Sequence, residues 1–259
     1  MLLNKKNGYK MKIFIINLDR SKDRKQYMQQ QFDKIGVECE FFSAIDGRSL
    51  DRKWLSKVAK SKFYNQITGR AGFARNHSNN EIACFASHFS LWQKCIELNE
   101  PIIVLEDDVI LDHDFKKSMA TLEKYLDKLQ YIRLIVTLKY RKKIQLAEDL
   151  SLYPHFPSGA QGYAIAPKAA KLFVHYAKKW HEPVDMYMDL SVIHGLRAYC
   201  VNPEAIKEGT IPSDIGSVDR EYLPKPVGIT KLIRELVRPI QQLRQTYWNW
   251  SNPVFYPNK

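Results

Sequence analysis

The sequence predicts an α/β fold: a three-layer α/β/α sandwich around a central, mostly parallel sheet, followed by a C-terminal helical basic extension. Three observations predict it. Short apolar runs (IFII at 13–16, PIIVL at 101–105, RLIVTL at 133–138) alternate with segments of helical period. The run PIIVL is apolar on both faces, as a central parallel strand is. Hydrophobic residues make up 45% of the 259 residues and aromatics 12%, enough to bury a core, which excludes a disordered or low-complexity chain.

Taken in order, Lys12 to Leu18 reads as a buried strand. The polar segment after it carries Tyr27, Met28, Phe32 and Ile35 at helical spacing and stops at Gly36. Glu38 to Ser43 resumes as strand. Asp46 to Asn80, rich in Lys, Arg, Asn and Gly, reads as a loop or short helices over one end of the sheet. Asn79 or Asn80 caps a helix through Ile82, Phe85, Phe89, Trp92 and Ile96 that ends at Asn99–Pro101. The strand it feeds terminates in Glu106, Asp107 and Asp108. A helix (Phe115 to Leu129), two strands (Tyr131 to Leu138, Gly162 to Ala166), a helix opened by Pro167, a helix near Asp185 to Gly195 and a strand (Ala198 to Val201) follow.

The division expected is a catalytic domain over 11–217 and a basic amphipathic extension over 218–259. From Arg220 onward there are seven Lys and Arg against two acids. Ile229, Leu232, Ile233, Leu236, Val237, Ile240 and Leu243 form an apolar stripe, with Arg234, Arg238 and Arg244 off it. Pro239 is expected to kink or split this helix. Trp248, Trp250, Phe255 and Tyr256 follow, aromatics suited to a headgroup layer. The stripe either docks on the core or binds an anionic membrane surface.

Forty Lys and Arg against 28 Asp and Glu leave a net charge of +12. No apolar run reaches the ~20 residues of a membrane-spanning helix, and the mean hydropathy is −0.39. The N-terminal stretch runs into charged residues without a small-residue cleavage site, so no signal peptide is expected. Cys39, Cys84, Cys95 and Cys200 lie far apart without a C-x-x-C pair, so structural zinc is not expected. Cys84 and Cys95 share a helix face and read as buried reduced thiols, which fits a reducing cytoplasm.

Three consecutive acids at a strand end repel one another, and a divalent cation bridging them to a diphosphate would relieve that repulsion. Glu106 with Asp108, or Asp107 with Asp108, are the candidate ligands. Arg20 and Arg24 follow the first strand, where they can meet phosphate near a helix N-terminus. Ser87 and His88 sit among aromatic neighbours on a helix and read as structural.

Four motifs carry more together than singly: INLDRS at 16–21, SAIDG at 43–47, EIACFASH at 81–88 and VLEDDV at 104–109. In order and wording they resemble glycosyltransferase family 25, which includes bacterial lipooligosaccharide galactosyl- and glucosyltransferases and collagen hydroxylysine galactosyltransferase domains. The resemblance runs from Lys12 to Val201 and takes in SGAQGYAIAPKAAKLF (158–173) and PVDMYMD (183–189). Ala83 stands where the family usually has Gly, and the basic extension lies outside the family core. The resemblance implies a GT-A fold, a UDP-sugar donor, a divalent metal (manganese, with magnesium the alternative) near the acidic motif, and inversion at the anomeric carbon. By motif match it assigns Asn17, Arg20, Ala44 and Asp46 to nucleotide contacts, with Arg24 and Asp107 beside them.

An inverting transfer needs a carboxylate to take the acceptor's hydroxyl proton, and Asp185 or Asp189, four residues apart, is the candidate. The expected activity is transfer of galactose, or alternatively glucose, to a lipooligosaccharide acceptor, by an enzyme peripheral on the cytoplasmic face of a bacterial inner membrane. One alternative is a noncatalytic saccharide- or nucleic-acid-binding module, which the pI near 9.4 suggests and the spread of positive charge along the chain disfavours. A second is a metal-dependent nucleotidyltransferase, whose Gly-rich triphosphate loop is missing.

Overall fold

The computed structural model describes residues 11–58, 78–138, 142–209, 229–252 and 254. The strands are β1 (Lys12–Asn17), β2 (Glu40–Ser43), β3 (Ile102–Glu106), β4 (Val109–Leu111), β5 (Tyr131–Arg133), β6 (Ile144–Ala147), β7 (Leu150–Tyr153), β8 (Gly162–Ile165), β9 (Ala198–Val201) and β10 (Ile206–Glu208). The helices are α1 (Lys22–Ile35), α2 (Arg52–Leu55), α3 (Asn79–Leu98), α4 (Phe115–Leu129), α5 (Pro167–Tyr176), α6 (Val184–Tyr187), α7 (Ser191–His194) and α8 (Ile229–Ser251).

Eight strands form one sheet in the order β2-β1-β3-β8-β5-β9-β7-β6, and β4 and β10 pair separately. Pairing is parallel for β2-β1, β1-β3 and β5-β9, and antiparallel for β3-β8, β8-β5, β9-β7 and β7-β6. Only β8 and β7 run against the rest, so the sheet is mixed with most strands in one direction. β3 is parallel to β1 on one side and antiparallel to β8 on the other, a correction to the parallel surroundings expected of it.

The alternation of side chains along a strand builds the layers. Ile13, Ile15, Ile103 and Leu105 point to one face, where they meet Met28 and Phe32 of α1 and Phe115 and Leu122 of α4. Phe14, Ile16, Ile102 and Val104 point to the other, against Phe85, Phe89 and Trp92 of α3 and Phe173 of α5. Trp180 stacks on Phe85 with ring centroids 4.2 Å apart. Helix boundaries follow local chemistry. Ser78 and Glu81 form a reciprocal capping box that starts α3 one residue before the expected cap. Gly36 at φ 63° ends α1 in the left-handed conformation.

Several expectations need correction. The strand expected to reach Leu138 stops at Arg133. Beyond it Leu134 donates to Gly162 O and accepts from Ala205 N, and Leu138 donates to Pro157 O, so the apolar run stays buried without a strand ladder. The helix expected over Asp185 to Gly195 is two single turns, α6 and α7. The hairpin β6-β7 was not foreseen; its signal is the apolar alternation on either side of Glu148-Asp149. Pro239 does not split α8, which runs through it. The expected boundary at 217/218, Phe255 and Tyr256 lie outside the described residues, as does most of the segment between Asp46 and Asn80.

One buried ion pair ties the sheet to the loop before β8. Arg133 Nη2 donates to Asp189 Oδ1 at 2.7 Å, with both side chains 1% exposed. Arg133 Nη1 also donates to the carbonyls of Ser158, at 3.0 Å, and Gly159, while Asp189 Oδ2 accepts from Ser158 N at 2.8 Å. The pair thereby holds Ser158 and Gly159 at positive φ. Removing one partner of such a pair leaves a buried charge uncompensated. Arg133→Met should therefore lower unfolding free energy by about 3–5 kcal/mol in a urea titration; a midpoint equal to that of the wild type would contradict this role.

Candidate active site

The carboxyl ends of β1, β2 and β3 lie side by side, because the three strands are parallel and in register at Asn17–Ser43 and Ile16–Glu106. Beyond them opens a cleft of about 620 Å³ counting the open solvent at its mouth. Its charged lining converges from three elements: Arg20 and Arg24 after β1, Glu106, Asp107 and Asp108 after β3, and His88 from α3. Ala44, Gly47, Asn80, Cys84 and Ser87 complete the wall.

The three acids have different surroundings. Asp107 has both oxygens engaged by the protein: Asn17 Nδ2 donates to Oδ2 at 2.6 Å and Arg24 Nη1 to Oδ1 at 3.1 Å. Asn17 Nδ2 also donates to Ser21 O at 3.1 Å, tying the end of β1 to the start of α1. Burial raises the Asp107 carboxyl above its ordinary range against the opposing pull of Asn17 and Arg24.

Glu106 is held from the helical side. The buried Tyr163 hydroxyl accepts from Trp92 Nε1 at 2.9 Å and lies 3.0 Å from His88 Nδ1. Its own proton needs an acceptor, and Nδ1 supplies it, so the network assigns the His88 proton to Nε2. That N–H points at Glu106 Oε1, 3.3 Å away. A Cys84–His88–Glu106 grouping brings one potential ligand atom from each within 4.8 Å of the others. With Nε2 protonated, His88 serves as the anchor of Glu106 and not as a metal ligand.

Asp108 is the acid the protein leaves least compensated. Its Oδ1 is buried without a hydrogen-bond partner. Burial first, then the charges of Glu106 and Asp107, push its carboxyl up to about 7, with Arg24 only partly opposing them. Its backbone is fixed by Gly209, whose N–H donates to Asp108 O at 2.9 Å and whose position leaves no room for a Cβ, which would fall 2.0 Å from that oxygen. An orphaned carboxylate oxygen beside a second carboxylate fits a hard divalent cation, which takes oxygen ligands. Glu106 and Asp108 are the residues that offer them, since Asp107 is spoken for by Asn17 and Arg24.

At the mouth, Arg20 is ion-paired to Asp46, whose other oxygen accepts from Arg48 N at 2.9 Å and starts a single 3-10 turn at Gly47. Ala44 N donates to Asn17 O at 2.9 Å, which joins β2 to β1 at the cleft rim. Asp185 is half-buried, and Ser158 Oγ donates to it at 2.9 Å. Its charge adds, after burial and Glu106, to the causes that raise the Cys84 thiol well above its ordinary range, but Asp185 is not among the residues lining the cleft. Asp189 is consumed by Arg133. The two acids thus converge on Ser158, one through its hydroxyl and one through its N–H.

The sequence-based reading takes Ser87, His88 and Cys84 as structural. Ser87 is so: its Oγ accepts from Ile45 N and donates to Ala83 O, both at 2.9 Å. His88 is likewise a buried, hydrogen-bonded residue, and all three also line the cleft. The signal available was the four-residue spacing that stacks Cys84 and His88 on one face of a helix leading into the acidic strand.

The sequence model described as glycosyltransferase family 25 (LPS biosynthesis protein) matches residues 10–188. Procollagen galactosyltransferase 2 of Mus musculus is 31% identical over 176 residues, covering 62% of this chain and 27% of that protein. Lipooligosaccharide biosynthesis protein lic2B of Haemophilus influenzae is 25% identical over 171 residues, covering 61% and 60%. The chain thus spans about a quarter of the mouse relative and three fifths of the bacterial one. Among solved structures, a Drosophila galactosyltransferase 7 mutant in complex with manganese, UDP-Gal and xylobiose aligns with a TM-score of 0.40 at 11% identity, covering 86% of this chain and 79% of that one.

The surroundings of Asp108 give a pH dependence with a definite sign. The folded protein keeps the Asp108 proton up to about pH 7, whereas the unfolded chain releases it near 3.8. Ionisation therefore costs metal-free stability progressively as pH rises from about 4 through about 7. Asp108→Asn should raise the melting temperature of EDTA-treated protein at pH 8 and raise it much less at pH 5. A shift independent of pH would contradict this.

Proposed function

The chain belongs to glycosyltransferase family 25, and we propose that it is a metal-dependent transferase that moves galactose, or alternatively glucose, from UDP to a lipooligosaccharide acceptor with inversion at the anomeric carbon. The observation that carries this reading is the under-compensated Glu106–Asp108 pair lining one cleft together with Arg20 and Arg24. Carboxylates and guanidinium groups lining one cleft suit a cation and a diphosphate bound together. The names of the mouse and bacterial relatives, a galactosyltransferase and a lipooligosaccharide biosynthesis protein, support the sugar and the acceptor.

In this reading Glu106 and Asp108 hold the divalent metal, manganese or alternatively magnesium. When bound, it neutralises charge gathering on the departing diphosphate. Arg24, held in place by Asp107, and Arg20, released from Asp46, direct their N–H groups at the phosphates. His88 orients Glu106 and keeps one of its oxygens hydrogen-bonded. Asp185 accepts the acceptor hydroxyl's proton, and Ser158 fixes the carboxylate for that transfer through its Oγ. Asp189 acts indirectly, since its bond to Ser158 N and its pair with Arg133 hold Ser158 in place.

Incubation with UDP-galactose or UDP-glucose and deacylated lipooligosaccharide should give a product of inverted anomeric configuration by NMR, and EDTA should abolish it. Retention of configuration, or full activity in EDTA, would overturn the reading. Asp185→Asn should cut kcat by roughly 10²–10⁴-fold with the donor KM nearly unchanged; an equal loss in both parameters would reassign Asp185 to binding.

A further inference from the structure

The C-terminal end of helix α8 meets the rest of the protein through Gln245, Trp248, Asn249 and Asn252 rather than through Leu243, Tyr247 or Trp250. An amphipathic helix buries its apolar stripe against the core and turns polar residues outward. Here the hydrogen bonds that fix the helix end are made by polar groups, with Trp248 packed beside them. Gln245 is buried, and Asn249 Nδ2 donates to Pro154 O at 2.9 Å. Arg197, just after α7, donates to Asn249 Oδ1 and to the carbonyls of Asn249 and Asn252, and its guanidinium lies 4.6 Å from the centre of the Trp248 ring.

Six apolar side chains of the helix are open to solvent. Leu232, Leu236, Ile240, Leu243, Tyr247 and Trp250 are 56–81% exposed. At 100° per residue they fall within about 80° of arc, opposite Gln245 and Asn249. Those six side chains are therefore left open to solvent, while Gln245 and Asn249 on the other side lie where the helix end is fixed to the fold.

The occupant can be argued from charge. From Ile229 to Ser251 the helix carries Lys231, Arg234, Arg238 and Arg244 against Glu235 alone, in a chain of net charge +12. A second copy of this face would bring like charges together. A bilayer bearing anionic headgroups offers apolar depth for the leucines, an interfacial layer for Tyr247 and Trp250, and countercharge for the basic residues. No helix among the described residues is long and apolar enough to cross a membrane, so this contact would lie in the plane of the surface.

We propose that the outward face of α8 is a docking surface for an anionic lipid bilayer, with Leu236, Leu243 and Trp250 entering the headgroup layer. The inference rests on the helix face alone and does not depend on the sugar chemistry proposed above.

Full-length protein should co-sediment with vesicles of phosphatidylcholine containing phosphatidylglycerol, less with phosphatidylcholine alone, and less again as salt rises. Trp54, Trp92 and Trp180 are buried and Trp250 is the most exposed of the described aromatic side chains, so binding should shift the tryptophan emission to the blue. The double variant Leu236→Glu, Leu243→Glu alters two exposed positions, so circular dichroism should be unchanged, and it should weaken binding about tenfold or more. Trp250→Ala should remove most of the emission shift. No binding to anionic vesicles, equal binding to neutral ones, or full binding by the double variant would each overturn the proposal. So would a dimer in sedimentation equilibrium that the double variant abolishes in the absence of vesicle binding, since the face would then belong to a second copy.

Discussion

Negative charge concentrated at the end of one buried strand is the constraint around which the rest of the site is arranged. Glu106, Asp107 and Asp108 leave β3 in succession, and burial makes their mutual repulsion stronger than it would be in water. The protein answers each differently. Asp107 receives a full set of donors from Asn17 and Arg24. Glu106 receives a single donor from a buried Trp92–Tyr163–His88 chain. Asp108 receives almost nothing and has an oxygen facing the interior alone. A site that neutralised all three would be a stable turn with no affinity for a cation, whereas one that neutralised none would not fold around them.

The sheet makes this arrangement possible. Parallel pairing of β2, β1 and β3 lines up three strand ends, so that Arg24 after β1 reaches Asp107 after β3 and Arg20 reaches Asp46 after β2. The antiparallel neighbour β8 closes the other flank, and Gln161, just before it, accepts from Glu106 N at 2.9 Å. That same loop carries Ser158, so the Arg133–Asp189 pair that pins the loop also sets where Asp185 lies. The separate β4-β10 ribbon holds the exit of the acidic run, with Gly209 packed directly on the Asp108 carbonyl. Disturbance in any of these elements reaches the carboxylates through one or two contacts.

Much of this was legible in the sequence where local chemistry decides it. The strand of Lys12 to Asn17, the helix of Phe115 to Leu129 and the proline-opened helix at Pro167 follow from period and capping alone. The gathering of Arg20, Arg24, Ala44 and the acidic run at one cleft followed from motif order. What escaped depends on long-range pairing. Nothing local says that Asp189 will meet Arg133 across 56 residues, or that His88 will reach Glu106 through a tautomer set by Tyr163. The short strands β4 and β10 depend on pairing with each other and on the distant Gln31 of α1, which hydrogen-bonds β4 at Val109 and Leu111. For α8, the amphipathic pattern was plain, but which face the fold would use was not, because Arg197 and Asn249 decide it.

The proposed chemistry requires that the Glu106–Asp108 pair hold a cation that in turn carries the nucleotide. The direct measurement is an electron paramagnetic resonance titration of manganese into metal-free protein, with and without UDP, for the wild type and Asp108→Asn. Loss of the free-manganese signal that tightens when UDP is added, and its disappearance in the variant, is the result predicted. Undiminished manganese binding by Asp108→Asn, or UDP binding of equal strength without any divalent metal, would contradict it.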